Sequence, residues 1–167
     1  SGAHINFSMT SNKDNKNIFE GKDGKFSDLA YHAVGGLIKH GTSITAVACS
    51  TVNSYNGLVP IVGGFEGGVY TWAPTTMAYG DNNRSCMIRL PQNRFCIENR
   101  AADMCMNPYL SLALTTAAAL DGIKNKIDPG KPLNLNLYTL SPEEMEASNI
   151  KSLPRNLLEA IEALNED

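Results

Sequence analysis

Residues 4 to 9 alternate strictly, with His4, Asn6 and Ser8 on one side and Ile5, Phe7 and Met9 on the other. That is the period of a β-strand with one apolar face. Residues 11–27, "SNKDNKNIFEGKDGKFS", lack any such period and read as a polar surface loop. From Ser27, a suitable N-cap, the spacing lengthens. Leu29, Ala33 and Leu37 form one stripe and predict a helix to His40, ended by Gly41. Gly35 and Gly36 weaken that helix and would let another element approach closely. Residues 43–50 fit helix and strand equally. Residues 51–83 are loop-rich and hold six of the 14 glycines, Gly57, Gly63, Gly64, Gly67, Gly68 and Gly80. A run of that length is uncommon in a compact domain unless it lines a site.

The later half is better marked. "SCMIRLP" and "RFCIENR" predict two strands paired as a hairpin across Pro91, Gln92 and Asn93. Asn107 caps a helix with Pro108 first, and "YLSLALTTAAALDGIKNKI" is apolar nearly all round, which predicts a buried helix. "DPGKP" stops it. Ser141 and Glu144 have the spacing of a capping box, and "NLLEAIEALNED" predicts a last amphipathic helix. Its acids Glu159, Glu162, Glu166 and Asp167 read as a solvated face. There is no internal repeat.

Length and composition add bounds. At 167 residues, 43% hydrophobic and 19% charged, the chain fits one soluble globular domain. A net charge of −3 argues against a nucleic-acid partner, and no apolar run approaches a membrane span of about 20 residues. The chain opens without Met, which suggests a fragment or processed piece. Cys49, Cys86, Cys96 and Cys105 form no CxxC and no zinc spacing, so they read as small buried thiols in a reducing, cytoplasmic setting.

Charge within the hairpin changes the picture. Arg84, Arg89, Arg94 and Arg100 lie in residues 82–100 with one acid, Glu98. By alternation, Arg94, Cys96, Glu98 and Arg100 share one face of their strand, and Arg89 shares a face with Met87 and Ser85. Between residues 29 and 120 the only acids are Glu66, Asp81, Glu98 and Asp103. Clustered arginines with so few acidic neighbours suit an anionic ligand, and planar guanidinium groups suit phosphate or carboxylate. A solvated sheet face is the alternative. Glu98 is either a salt-bridge partner or, with His4, a ligand for a divalent cation.

The ordered motifs "SGAHINFSM", "GLIKHG", "NSYNGLVP", "NNRSCMIRLP", "RFCIENR", "NPYLSLALTTAAALDGIKNKI" and "PLNLNLY" resemble those of glutamine synthetases over nearly the whole chain. "TWAPTTMAYGDNNR" also resembles the related ligases that join glutamate to methylamine. The resemblance implies an incomplete α/β (α+β) catalytic domain across residues 1–167: a curved antiparallel sheet with helices packed outside. It implies an ATP-dependent ligase that phosphorylates the γ-carboxylate of glutamate and lets ammonia or an alkylamine displace the phosphate. It implies Mg²⁺ or Mn²⁺ held by His4 and Glu98, nucleotide contacts from Ser8, Arg89 and Arg94, and Arg84 at the transferred phosphoryl group. Arg100 would hold the substrate glutamate, and Glu66 would guard the acyl phosphate and receive ammonium. The parent would be a homo-oligomeric ring.

Two departures bear on substrate and activity. Gly57 stands where the family has an arginine on the substrate carboxylate, and Asn6 stands for a second His. A non-catalytic paralogue is therefore a second reading. The family's other metal carboxylates precede residue 1, so the isolated polypeptide is expected to lack ligase activity.

Overall fold

The computed structural model describes residues 2–58, 73–147 and 150–167. Four strands form one sheet in the order β1-β4-β3-β2, where β1 is Gly2–Phe7, β2 Thr76–Asp81, β3 Cys86–Leu90 and β4 Ile97–Asp103. β4 pairs antiparallel with both β1 and β3. The expected hairpin is present, with Arg89 directly opposite Glu98. β2, however, runs parallel to β3, so the sheet is mixed rather than wholly antiparallel. The return between them takes only residues 82–85. Asn82 starts it in the left-handed region at φ 58°, a conformation asparagine tolerates better than most residues.

Helices α1 (Asp28–Lys39), α2 (Gly41–Ala48) and α3 (Pro108–Asn125) form the principal helical layer. Ser27 caps α1, its hydroxyl accepting from the Ala30 amide at 3.2 Å. Gly41 does not end the helical run. The chain pivots at His40 and resumes as α2, which settles residues 43–50 as mainly helical. α1 and α3 touch backbone to backbone. A Cβ on Gly36 would stand 2.0 Å from the Ala118 carbonyl oxygen, and one on Gly122 would stand 2.1 Å from that of His32. Only hydrogen fits at either crossing point, so the glycines that weaken α1 locally are what let it dock.

The core forms around Val34, Leu37, Ile44, Ile88 and Ile97, all fully buried. Leu29 leaves the predicted stripe and is exposed, while Ala30 is buried instead. Met87 also joins this core and meets α2 at Gly41. α3 corrects a second expectation. It buries Ser111, Thr115, Ala118 and Ala119 but exposes Tyr109, Leu110, Leu112 and Leu120. An all-round apolar helix is expected to be buried, and here one side alone is covered.

The remaining α-helices among the described residues are α4 (Pro142–Ala147) and α5 (Leu157–Glu166). The capping box at α4 is reciprocal: the Ser141 amide donates to Glu144 and the Glu144 amide to the Ser141 hydroxyl. The acids of α5 are exposed, but Asp167 just beyond it pairs with His40 instead of being merely solvated. All four cysteines are free; Cys105 is exposed and the other three are buried. Among the described residues, no helix is long and apolar enough to cross a membrane.

Candidate active site

Strand pairing alone assembles the charged face. Arg89 opposes Glu98 across β3 and β4, and Asn6 opposes Glu98 across β1 and β4. Between Ala3 and Ile5 the β1–β4 register slips, so that His4 stands opposite both Arg100 and Ala101. This is a β-bulge on β4, the kind of irregularity that re-aims a side chain. The Ala101 amide donates to the Asn99 side-chain oxygen at 3.0 Å, a local bond that supports the bulge.

Glu98 is the hub. Its side chain is 4% exposed. Oε1 accepts from His4 Nδ1 at 3.0 Å and from Arg100 Nη1 at 3.0 Å, and Oε2 accepts from Arg89 Nη1 at 2.6 Å. Burial by itself would raise the Glu98 carboxyl. The Arg89 hydrogen bond and the charges of Arg100, Arg89 and His4 outweigh it and hold the group below the usual glutamate range. His4 moves down as well, through burial first and then the Arg100 charge, against the pull of Glu98. A neutral His4 must carry its proton on Nδ1, because the carboxylate can only accept. Its Nε2 lone pair is then directed away from Glu98, the tautomer of a metal-binding histidine oriented by a carboxylate.

The charges do not balance. Two buried or half-buried guanidinium groups, Arg89 and Arg100, share one carboxylate, and the charge of exposed Arg84 also reaches His4. An excess of fixed positive charge in a poorly solvated place favours an anion.

The sequence-predicted residues are distributed unevenly around this hub. His4, Glu98, Arg89 and Arg100 touch. Arg84 contributes its carbonyl, which accepts from Arg100 Nε at 3.2 Å, while its side chain is exposed. Arg94 lies outside the hub and donates to Cys96 Sγ at 3.1 Å and Asn6 Oδ1 at 3.0 Å. Ser8 is exposed one residue beyond β1. Glu66 lies outside the described residues. Gly57 is exposed at the end of a 3-10 helix, Val52–Gly57, that buries Ser54 and Tyr55, and there is open space where its Cβ would go. Arg100 is more enclosed than a substrate-holding residue is expected to be, at 4% exposure.

As a metal site the face is partial. Among the described residues, no third His, Cys, Asp or Glu joins His4 and Glu98. A hard divalent cation takes about six oxygen ligands. The pair could therefore supply at most two of them, and only with the His4–Glu98 hydrogen bond opened.

Sequence reading passed over Asn82 and Tyr138. Asn82 Oδ1 accepts from Nε and Nη2 of Arg89. Burial pushes the Tyr138 hydroxyl up, against a smaller lowering by the nearby Arg100 charge, and the hydroxyl donates to the Ala73 carbonyl at 2.6 Å. The signals were present, an Asn pair before Arg84 and a Tyr ending "PLNLNLY", but both read equally well as turn or packing residues.

Residues 1–167 match the family model described as glutamine synthetase, catalytic domain. A glutamate–methylamine ligase from Methyloversatilis universalis is 46% identical over 170 residues, covering 99% of this chain and 37% of that protein. A glutamine synthetase from Aquifex aeolicus is 44% identical over 173 residues, covering 100% of this chain and 34% of that protein. The solved structure described as "GmaS/ADP complex-Conformation 1" superposes with a TM-score of 0.86 at 39% identity, covering 99% of this chain and 37% of that one. The chain thus spans roughly a third of the length of these relatives, 34% in one case and 37% in the other.

Proposed function

The chain belongs to the glutamine synthetase catalytic-domain family, and from that membership we propose that the whole protein is an ATP-dependent ligase joining an amine to the γ-carboxylate of glutamate. The observation that carries the reading is the buried Glu98 held by His4, Arg89 and Arg100 on one sheet face. A reaction between a carboxylate and a triphosphate joins two anions, so it needs fixed positive charge to bring them together.

In this reading Arg89 and Arg84 face the phosphates, with Ser8 and Arg94 as outer nucleotide contacts. A γ-carboxylate oxygen of glutamate attacks the terminal phosphorus, and the bond to the ADP oxygen breaks. Arg84 meets the charge of the phosphoryl group in transit. The amine nitrogen then attacks the acyl carbon, phosphate leaves with the bonding pair, and the surplus amine proton passes to Glu66. His4 and Glu98 would hold Mg²⁺ or Mn²⁺ once the hydrogen bond between His4 Nδ1 and Glu98 opens, and the ion would supply charge neutralisation at the phosphates. The other ligands would come from phosphate oxygens, water and residues beyond this chain. Arg100 binds the acid once its guanidinium is drawn partly away from Glu98, so acid binding and opening of that pair are coupled.

Two amines compete for the last step. Methylamine is favoured by the 46% identity to a glutamate–methylamine ligase and by the close superposition on GmaS; ammonia is the acceptor implied by the synthetase relatives. The test is phosphate release by the whole protein with ATP, Mg²⁺ and glutamate, with methylamine or ammonia as the second substrate. Release with either amine, abolished in Arg84→Ala, supports the ligase. A folded protein that binds nucleotide and releases no phosphate with either amine would make it a non-catalytic paralogue, assembled in the family's homo-oligomeric ring.

A further inference from the structure

Asn82 and Asn83 occupy the short return between β2 and β3, and each uses its side chain on an arginine-bearing part of the site. Asn82 Oδ1 takes Nε–H and Nη2–H of Arg89, whose Nη1 donates to Glu98. The guanidinium is thus gripped on two edges and its plane is fixed. Of its five N–H groups three are used this way, which leaves two free of partners among the described residues and available to a ligand.

Asn83 works on the main chain. Its Nδ2 donates to the carbonyls of Leu133 at 2.6 Å and Leu135 at 2.8 Å. Its Oδ1 accepts from the Ser85 amide at 3.0 Å and the Ser85 hydroxyl at 2.7 Å. Every hydrogen-bonding capacity of the amide is used. Aspartate could not donate to the two carbonyls, and an apolar residue would strand all four groups. Arg84 lies between Asn83 and Ser85, so its backbone is locked on both sides while its guanidinium stays exposed. The same locked segment presents the Arg84 carbonyl to Arg100 Nε.

We propose that Asn82 and Asn83 are the positioning residues of the arginine cluster, Asn82 acting through Arg89 and Asn83 through Arg84. This rests on the nucleotide-binding reading given above. A pair of turn residues thereby becomes the element that sets where two phosphate-facing cations point before any ligand arrives. Pre-set geometry of this kind strengthens binding because little ordering is left to do on association.

The experiment is calorimetric titration of the whole protein with a non-hydrolysable ATP analogue and Mg²⁺. Asn82→Gly is the clean variant, since glycine accepts the left-handed backbone and only the acceptor is lost. It is expected to bind about tenfold more weakly, the scale of a hydrogen bond to a charged group. In an Arg89→Ala background the same change should cost nothing further, an outcome a merely structural role would not give. Asn83→Asp should likewise lose its binding cost in an Arg84→Ala background, even if it melts earlier. A wild-type protein that binds the analogue while Asn82→Gly binds it equally well, or loses the same factor with or without Arg89, overturns the inference and leaves the functional reading intact. A wild-type protein that does not bind the analogue overturns both.

Discussion

Two histidine–carboxylate clusters stand at different places in this molecule. At the sheet, His4 shares the single carboxylate of Glu98 with Arg89 and Arg100, and the hub is almost fully buried. At the helical end, His40 lies between two carboxylates, with Nδ1 2.6 Å from Asp167 and Nε2 3.0 Å from Asp121, and Lys39 adds a second contact to Asp121 at 3.1 Å. The second cluster has as many acids as bases and its carboxylates are partly exposed; it joins the α1–α2 pivot, α3 and the residue after α5. The first has more cations than acids, and its carboxylate and Arg100 are buried although His4 is exposed. Balance and exposure make a brace of modest worth. Imbalance and burial make a place where a ligand's charge is wanted.

The strongest way to break that contrast is to remove the one carboxylate that Arg89 and Arg100 share. Glu98→Gln leaves Arg89 and Arg100 buried beside a neutral amide. Breaking one partner out of a buried pair costs about 3–5 kcal/mol, and a loss of that order should appear in urea unfolding. Nucleotide binding with Mg²⁺ should disappear as well. A variant as stable as wild type would mean that the hub is no more strained than the brace.

Arg100→Lys is the next largest. The guanidinium donates to Glu98 and to the Arg84 carbonyl at once, through atoms set rigidly apart, and an ammonium cannot reproduce that fork. About 1–3 kcal/mol of stability should be lost, and under the ligase reading the KM for glutamate should rise more than that for ATP. Equal changes in both would place Arg100 with the phosphates instead of the acid.

Acid titration separates the clusters in a different way. His4 has its proton affinity lowered on folding, so below the ordinary histidine value of 6.5 the unfolded chain takes up a proton that the folded one resists. Stability therefore falls as pH drops below that value, until the folded His4 also titrates. Glu98, lowered from 4.5, adds a second loss at more acid pH, as pH falls through its folded value. His4→Gln should flatten the first part of the urea-midpoint profile and leave the second. A profile unchanged by the substitution would show that burial and the Arg100 charge together do not lower His4.

How much of this contrast could be read in the sequence depends on range. The β3–β4 hairpin and the clustering of Arg89 with Glu98 were legible because alternation and turn residues are local signals. The Ser27, Asn107 and Ser141 caps were legible for the same reason. The parallel β2 was not, because it depends on a left-handed Asn82 and a return of four residues, 82–85, whose direction no periodicity encodes. The half-exposed α3 was hidden because an all-round apolar pattern does not say which side meets a neighbour. The His40 brace joins residues 81 and 127 positions apart, and neither Asp121 nor Asp167 looks different in sequence from any other surface acid. The site's chemistry came through the resemblance in motifs; the grip of Asn82 on Arg89 came only from the geometry.

The smallest expected effect lies in the brace. Asp121 is held below the usual aspartate range by hydrogen bonds from His40 first and then Lys39, which outweigh a small opposing effect of burial. A lowered carboxylate contributes stability above its unfolded value, here 3.8, and loses it as pH falls through the folded value. Asp121→Asn should therefore lower the melting temperature slightly at neutral pH and not at all in strong acid. Because Asp121 is well solvated, raised salt should shrink the difference toward zero as the charges are screened. The same salt series applied to Glu98→Gln should change little, since buried pairs are screened far less. If both variants responded to salt alike, burial would not be what distinguishes the arginine hub from the histidine brace, and the case for an anion site on the sheet would rest on charge count alone.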